Sequence, residues 1–216
     1  MSSKQSHSIK GRTKAQDVFY TPEALALIHI KMALEYDSGY DSVWLDPCCG
    51  NEADAESKRY YNNFPHNKTA MAIDIENTAQ PPECADKKDF LELTVKDIFS
   101  GKRVWDGEQF LERSPDSGLV ICGNPPYSIL DDWLNKSIEL KPIVISYLLL
   151  QHHLTPRRME WFDNAGYKLV QMKFMKVKKW YGISVIVTWV KAGHLTPRRL
   201  ELAGLTEVTY DRTIYQ

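Results

Sequence analysis

The chain has 216 residues, of which 43% are hydrophobic and 25% are charged, a composition typical of one soluble globular domain with a substantial core. No apolar run approaches the ~20 residues of a membrane-spanning helix, and the polar N-terminus lacks a secretory signal, so the sequence predicts a cytoplasmic protein without a membrane anchor. It also predicts reduced thiols and no metal site, because neither the histidines nor the cysteines have zinc-ligand spacing; the cysteines are Cys48, Cys49, Cys84 and Cys122.

Basic residues are distributed unevenly, although the net charge is only −1. Residues 164–200 contain no Asp or Glu, and residues 1–16 are also basic without an acid. A basic face is expected where a protein meets phosphates, but a solvated lysine-rich hairpin explains the C-terminal pattern equally well. We interpret residues 1–16 as a flexible N-terminal arm and residues 17–216 as a single domain.

The first predicted helix follows Phe19 and Tyr20. Thr21 is predicted to be its N-cap and Pro22 its first helical residue, because a hydroxyl satisfies free backbone N–H groups and proline suits the first turn. Glu23 would complement the positive end of the helix dipole.

Two short apolar strands are each followed by an acid. They are residues 42–45 and residues 69–73. In Rossmann-like folds a glycine turn after the first strand brings backbone amides to a ligand, and an acid after the second strand binds ribose hydroxyls. The pattern therefore predicts a ligand site at the carboxyl ends of these strands. Its candidate residues are Asp46, Pro47, Cys48 and Gly50 after the first strand and Asp74 after the second.

Residues 119–122 form an apolar run that predicts a buried parallel strand, because a strand covered on both faces needs no polar alternation. Gly123 ends this strand, and two prolines then fix the backbone. The turn should lie at the carboxyl edge of the sheet, where open α/β sheets bind ligands. Its residues are Asn124, Pro125, Pro126 and Tyr127.

The chemistry of this turn follows from its residue types. The Asn124 side-chain oxygen and the Pro125 carbonyl can accept hydrogen bonds from the exocyclic amino group of a purine. Such an amine is a poor nucleophile because its lone pair is delocalised into the ring, and these bonds would localise the lone pair without a general base. Tyr127 supplies a ring on which a planar base or amide can stack.

The second half of the chain predicts three further strands. Residues 143–150 form one, and residues 167–177 and 183–190 form a terminal hairpin. His152 and His153, which follow the first of these strands, are interpreted as polar loop residues, because adjacent side chains on a strand point apart.

One hexapeptide, His-Leu-Thr-Pro-Arg-Arg, occurs at residues 153–158 and again at residues 194–199. Two arginines in a first helical turn oppose the helix dipole, which suggests a phosphate clamp, although exposed loop arginines explain the repeat equally well. Trp180, which follows two lysines in the predicted hairpin, fits a loop that touches unstacked bases, although packing in the core or in the turn is the commoner role of such a ring. The candidates for nucleic-acid contacts are Arg157, Arg158, Lys176, Lys178, Lys179, Trp180, Arg198 and Arg199.

The tetrapeptide at residues 124–127 resembles motif IV of the amino-methyltransferases that use S-adenosylmethionine. With Ser128 it is most similar to the Dam-like adenine-N6 enzymes, phage-encoded ones in particular. The turn at residues 46–50 resembles motif I of this family, and residues 19–22 resemble motif X. The resemblance implies a Rossmann-like class I methyltransferase fold, an α/β domain with a mostly parallel seven-stranded sheet and a C-terminal antiparallel hairpin.

The resemblance also implies the residues of the site. Asp89 would accept from the adenine amino group of the cofactor and Phe90 would pack on its ring, but Asp97 competes with Asp89 for this role. Glu52 stands where motif I has its second glycine, and its charge would oppose the cofactor's carboxylate. The implied catalytic residues are Asn124, Pro125, Pro126 and Tyr127. The implied cofactor-binding residues are Phe19, Tyr20, Thr21, Pro22, Asp46, Pro47, Cys48, Gly50, Asp74, Asp89 and Phe90.

The predicted function is methyl transfer from S-adenosylmethionine to the N6 amino group of adenine in DNA, with the target base flipped from the helix. The partner would be single-stranded or duplex DNA in a bacterial or phage-infected cell. Three alternatives stay open: an RNA adenine methyltransferase, a protein glutamine-amide methyltransferase, and an inactive module that binds cofactor or DNA. No insertion is long enough for a separate target-recognition domain, so sequence selectivity is expected to come from loops.

Overall fold

The computed structural model describes residues 19–37, 41–50, 60–75, 85–100, 103–105, 110–112, 117–178, 180, 182–196 and 207–215. The predictions made for residues 1–16, Glu52, Lys179, Arg198 and Arg199 lie outside the described residues.

One sheet of eight strands organises the described part of the chain, in the order β10-β8-β9-β7-β6-β1-β2-β3. Its strands are β1 (Val43–Asp46), β2 (Thr69–Asp74), β3 (Ala85–Lys87), β6 (Leu119–Gly123), β7 (Val144–Leu150), β8 (Tyr167–Val177), β9 (Ser184–Lys191) and β10 (Glu207–Tyr215). A separate antiparallel pair consists of β4 (Arg103–Trp105) and β5 (Phe110–Glu112). The described helices are α1 (Glu23–Leu34), α2 (Val95–Phe99), α3 (Leu130–Glu139) and α4 (Pro156–Asn164).

The prediction of seven strands is wrong, because the sheet has an eighth. Residues 207–215, for which the sequence predicted no strand, form β10 and pair in parallel with β8. Without β10 the 11 residues of β8 would present an open edge, and open edges readily acquire a further strand. The sheet is nevertheless mostly parallel, and β8 and β9 form the predicted antiparallel hairpin.

The sheet is covered by helices on both faces, which explains its continuous apolar strands. Alternate side chains of a strand point to opposite faces. Accordingly, Leu45 of β1 packs in a cluster with Leu130 of α3 and Phe162 of α4. The neighbouring Trp44 packs in a second cluster with Ala26 and Ile30 of α1. The predicted buried strands β1 and β6 are enclosed along their whole length.

The start of α1 differs from the prediction by one residue. Pro22, with an extended ψ of 138°, is the N-cap, and no side chain caps the helix. The Pro22 carbonyl accepts the first helical bonds from the N–H groups of Leu25 and Ala26. Thr21 is therefore not the N-cap and lies 5% exposed against the body of the protein. No described helix is long and apolar enough to cross a membrane.

The parallel strands β1, β2, β6 and β7 all end at one edge of the sheet, which we call the carboxyl edge. Asp46 of β1 is in register with Ala72 of β2, and Gly123 of β6 with Tyr147 of β7. The segments that follow these strands therefore lie side by side. Ligands bind at this edge in open α/β sheets.

Candidate active site

The Asn124 side chain lies at the end of β6, half-buried at the carboxyl edge, and two hydrogen bonds fix its amide. Its Nδ2 donates to the Phe19 carbonyl over 2.8 Å. Its Oδ1 accepts from the Tyr127 hydroxyl over 3.0 Å. A carbonyl can only accept, so the bond to Phe19 determines which end of the amide is nitrogen. The oxygen therefore faces the Tyr127 side.

The two prolines and Tyr127 complete the turn after β6. Pro125 is buried and Pro126 is half-buried, and a 3₁₀ turn then spans Tyr127–Ile129. The Tyr127 ring stacks on Phe19 with centroids 6.1 Å apart and lies 4.8 Å from the His153 ring. Its hydroxyl also lies 3.4 Å from the Leu148 carbonyl. The turn is thus fixed at both its asparagine and its tyrosine.

The turn after β1 is tied to the turn after β6. The Cys48 thiol donates to the Asn124 carbonyl over 2.9 Å. Burial raises the pKa of the Cys48 thiol well above its usual range, so the thiol keeps its proton and remains a donor. The strand ends also approach closely at Gly123, where an added Cβ would lie 3.1 Å from Pro47 Cδ and 3.3 Å from Asp46 Oδ1. A larger residue at position 123 would push these two turns apart.

Two carboxylates lie at the ends of β1 and β2. Asp46 is 1% exposed, and its Oδ1 accepts from the Cys48 N–H over 3.3 Å. Asp74 is half-buried, and its Oδ2 accepts from the Gly50 N–H over 2.9 Å. Gly50 has a φ of +85°, a backbone conformation that favours glycine. The strand–acid–glycine pattern thus builds a compact acidic corner at the carboxyl edge.

The Asp46 carboxyl has a pKa raised from 3.8 to about 7. Burial is the main cause; the Cys48 N–H opposes it, and the nearby Asp74 charge adds to it. An acid that is buried without a cation favours its neutral form. A positively charged ligand group at this corner would favour the ionised form instead.

We expect the raised pKa of Asp46 to make the fold less stable as pH rises from about 4 to about 7. In this window the folded state keeps a proton that the unfolded state has released, so each step up in pH favours unfolding. Asp46→Asn removes the titration and keeps an oxygen for the Cys48 N–H. In urea unfolding, the variant should gain free energy of unfolding relative to the original chain between about pH 5 and about pH 8. A difference that does not change with pH would contradict the raised pKa.

The three residues proposed for the cofactor's adenine lie in different environments. Phe90 is 2% exposed and its ring lies 4.4 Å from that of Trp133, so it packs in the core and offers almost no surface to a ligand. Asp97 is bound to Thr94 in a capping box at the start of α2. Asp89 accepts from the Leu91 N–H over 2.9 Å, and partial burial raises its pKa. Both carboxylates accept hydrogen bonds at the start of a short helical turn, so these bonds do not distinguish the two acids.

The segment before α1 runs beside the turn after β6. The Phe19 ring lies between Tyr127 and Trp180, with centroids 6.1 and 5.6 Å away. Tyr20 and Pro22 are half-buried, and Thr21 is buried. The segment therefore contacts the turn after β6 through Phe19, and its contact with the cofactor stays a prediction.

The candidate nucleic-acid residues separate into exposed and structural groups. Arg157 and Lys178 are exposed, and the Arg157 guanidinium lies 5.0 Å from the centroid of the Trp161 ring. Trp180 is 9% exposed, which leaves little of its ring for a base. Lys176 Nζ donates to the Trp180 carbonyl over 2.9 Å and to the Gly182 carbonyl over 2.7 Å. Trp180 and Lys176, which is also exposed, therefore hold the turn between β8 and β9.

Arg158 is bound within the protein. Its Nε pairs with Asp131 Oδ1 of α3 over 2.8 Å, and its Nη1 donates to the His153 carbonyl over 2.9 Å. Thr155 caps α4 by accepting from the Arg158 N–H over 3.4 Å. An unfavourable arginine in a first helical turn thus has an intramolecular role that the sequence pattern does not reveal.

The two copies of the hexapeptide begin at opposite edges of the sheet. The first copy follows β7 at the carboxyl edge. The second copy begins at His194, shortly after β9, and β9 runs antiparallel to β7. Among the described residues of the two copies, His153 of the first contacts Tyr127.

His153 borders the turn after β6, a position that the sequence pattern does not reveal. The sequence predicts a polar loop residue here, but the His153 ring packs 4.8 Å from that of Tyr127 and 4.3 Å from that of His152. Its position shortly after β7, at the same edge of the sheet as Asn124, is the feature of the sequence that could have indicated this contact. Among the described residues, no group of three or more His, Cys, Asp or Glu side chains could hold a metal ion.

No protein-family model matches the chain, and no curated protein matches it. Among solved structures, a putative class I S-adenosylmethionine-dependent methyltransferase from Listeria monocytogenes matches with a TM-score of 0.57 and 10% identity, over 96% of this chain and 70% of that one. A type I restriction-modification system methyltransferase subunit from Streptococcus thermophilus matches with a TM-score of 0.50 and 13% identity, over 80% of this chain. The chain covers only 45% of the length of that subunit. The fold is that of the class I S-adenosylmethionine-dependent methyltransferases.

Proposed function

We propose that the chain transfers a methyl group from S-adenosylmethionine to the N6 amino group of adenine in DNA. The observation that carries this proposal is the fixed amide of Asn124 at the carboxyl end of β6. Because Nδ2 is bound to the Phe19 carbonyl over 2.8 Å, Oδ1 is the amide atom left to receive an amine. A carbonyl oxygen has two lone pairs, so it can accept from a substrate NH2 as well as from Tyr127.

The turn suits an amine that needs no deprotonation before it reacts. Hydrogen bonds from the NH2 group to Asn124 Oδ1 and to the Pro125 carbonyl would localise the nitrogen lone pair. Pro125 and Pro126 have no N–H groups, so the turn offers acceptors without competing donors. The half-buried Tyr127 would support the flat face of the flipped base. Most of the rate enhancement would then come from the positioning of the amine.

The corner formed by β1 and β2 fits S-adenosylmethionine, which supplies an electrophilic methyl group when bound. This cofactor carries an ammonium group and ribose hydroxyls, which are donors. The half-buried Asp74 is the acceptor that the corner presents, and the buried Asp46 would act on the ammonium group through its charge and not by direct contact. Gly50 gives the backbone a positive φ of +85° beside Asp74. We assign Asp46, Pro47, Cys48 and Gly50 to the methionine part and Asp74 to the ribose. The core position of Phe90 removes it from this assignment.

The cofactor corner has a pH dependence that can be measured. Asp46 has a pKa of about 7 without a ligand, so it loses the charge that attracts an ammonium group as pH falls. Cofactor affinity should therefore weaken from about pH 8 to about pH 6. Calorimetric titration of the chain and of Asp46→Asn at both pH values measures this. An affinity that is equally pH-dependent in the variant would assign the effect to another group.

DNA is the favoured substrate on two grounds. Arg157 is an exposed basic residue near the turn after β7, and Lys178 is an exposed one in the turn between β8 and β9. The Streptococcus thermophilus structure with a similar fold is a restriction-modification methyltransferase subunit. An adenine in a duplex must be extruded before its N6 can be reached, because that amine is engaged in base pairing.

The test of the proposed function is incubation of the chain with labelled S-adenosylmethionine and, in parallel, duplex DNA, RNA or protein extract. Chromatographic analysis of the hydrolysed products should find the label in N6-methyldeoxyadenosine. Label in RNA adenine or in a glutamine amide would show that the substrate is RNA or protein instead of DNA. Cofactor binding by calorimetry without any transfer would identify an inactive module.

We expect Arg157→Ala to weaken DNA binding and to reduce the slope of log affinity against log salt concentration by about 1. The exposed guanidinium can displace one condensed cation from the DNA backbone. Lys31→Ala, which removes an exposed charge from α1, serves as the control and should leave the slope unchanged. Fluorescence anisotropy at several salt concentrations measures the slope. An unchanged slope for Arg157→Ala would remove this residue from the interface.

A further inference from the structure

The orientation of the Asn124 amide depends on Phe19 in two ways. The Phe19 carbonyl accepts from Asn124 Nδ2 over 2.8 Å. The Phe19 ring stacks on Tyr127, whose hydroxyl donates to Asn124 Oδ1 over 3.0 Å. Each end of the amide is therefore held by Phe19, directly or through one side chain.

Phe19 is in turn held by Trp180, in the turn between β8 and β9. The two ring centroids are 5.6 Å apart. Trp180 is 9% exposed and packs with Leu148 and Met175, so its own position is fixed by the core. Lys176 Nζ closes the turn through the carbonyls of Trp180 and Gly182. A continuous packed path thus leads from the β8–β9 turn to the Asn124 amide.

An asparagine amide has two orientations related by a half-turn, and they differ in which atom faces the substrate. With Nδ2 on the Phe19 carbonyl, the oxygen is presented to an incoming NH2 group. If Phe19 moved away, the amide could rotate and present N–H groups to the N–H groups of the amine, an arrangement without an acceptor. The bond from Phe19 therefore selects the orientation that can bind an amine.

We propose that Trp180 is a positioning residue that acts through Phe19 to keep Asn124 Oδ1 facing the substrate amine. This inference rests on the proposed role of Asn124. It assigns Trp180, which sequence analysis placed among the base-contacting residues, to the support of the catalytic turn. Trp180 and Phe19 act on the amide and not on the cofactor corner, so their loss should change turnover and leave cofactor affinity unchanged.

The test compares Trp180→Ala, Trp180→Leu and Trp180→Phe with Ile183→Ala. Ile183 is an apolar residue of the same turn and is 49% exposed, so it controls for a general effect of altering the turn. Trp180→Leu keeps apolar volume in the core and serves if Trp180→Ala does not fold. The first readout is the exchange rate of the Asn124 side-chain NH2 protons by NMR, with the resonance assigned by its absence in Asn124→Ala. The second is kcat beside the calorimetric Kd for S-adenosylmethionine.

We expect the Ala and Leu variants to exchange the Asn124 NH2 protons faster and to lose at least ~10-fold in kcat, since misplaced reacting groups carry such costs. Their Kd for the cofactor should not change. Trp180→Phe and Ile183→Ala should behave like the original chain. Unchanged exchange in the folded Ala or Leu variant would overturn the positioning role. A chain that shows no methyl transfer at all would refute the proposed function, while the exchange rates would still decide the role of Trp180.

Discussion

Replacing Asn124 with alanine is expected to lower kcat for methyl transfer by about 10²–10³-fold, the cost that follows loss of one preorganised hydrogen-bonding group in an active site. The variant removes Oδ1, which we propose accepts from the substrate amine and localises its lone pair. The cofactor corner keeps its own bonds, including that from Gly50 N–H to Asp74 Oδ2 at 2.9 Å. Affinity for S-adenosylmethionine should therefore stay within about threefold, a difference well below 1 kcal/mol. Single-turnover kinetics and calorimetry measure the two quantities.

The matched control for this prediction is Asn135→Ala. Asn135 is an exposed asparagine on α3, so the same side chain is removed away from the turn. Its kcat should equal that of the original chain. Methyl transfer at a near-normal rate by Asn124→Ala would show that Asn124 is not the acceptor of the amine.

Replacing Asp37 with alanine is expected to cost about 3–5 kcal/mol in the free energy of unfolding, as when one partner of a buried ion pair is removed. Asp37 Oδ2 accepts from Ser42 Oγ over 2.6 Å and from Trp44 Nε1 over 2.9 Å. It also pairs with Lys68 Nζ over 3.0 Å, and the two side chains are 0% and 8% exposed. This one carboxylate thus connects the end of α1 with the start of β1 and with the segment before β2. Urea unfolding followed by circular dichroism measures the loss.

Asp163→Ala provides a control that also breaks an Asp–Lys pair. Asp163 Oδ1 lies 2.6 Å from Lys168 Nζ, but these side chains are 66% and 42% exposed. Exposed pairs contribute about 0–1 kcal/mol, because water screens the charges and holding two long side chains costs entropy. If both variants lost the same small amount, the buried position of Asp37 would not have the importance we assign to it.

The central strands and the turn after β6 could be predicted from the sequence because their signals are local. The apolar runs in β1 and β6 indicate strands covered on both faces, and the Pro-Pro pair marks the end of β6. The acids at positions 46 and 74 follow strands, so their common edge follows from parallel pairing. These are consequences of residue type and spacing alone.

The features that the sequence did not predict depend on contacts between distant residues. β10 forms because β8 offers an open edge, and nothing in the sequence of residues 207–215 indicates which strand they pair with. Arg158 pairs with Asp131, which is 27 positions away. The repeated hexapeptide alone could therefore not indicate whether this arginine binds within the protein or binds DNA. The sequence left two roles open for Trp180, base contact or packing, and the contacts of its ring with Phe19 and the core support packing.

The most direct test of the central claim is the identity of the methylated nitrogen. Duplex DNA is incubated with S-adenosylmethionine carrying a deuterated methyl group and with either the original chain or Asn124→Ala, and the nucleosides are analysed by mass spectrometry. The account predicts labelled N6-methyldeoxyadenosine with the original chain and almost none with the variant. Label on another nucleoside, or equal label with both chains, would contradict it.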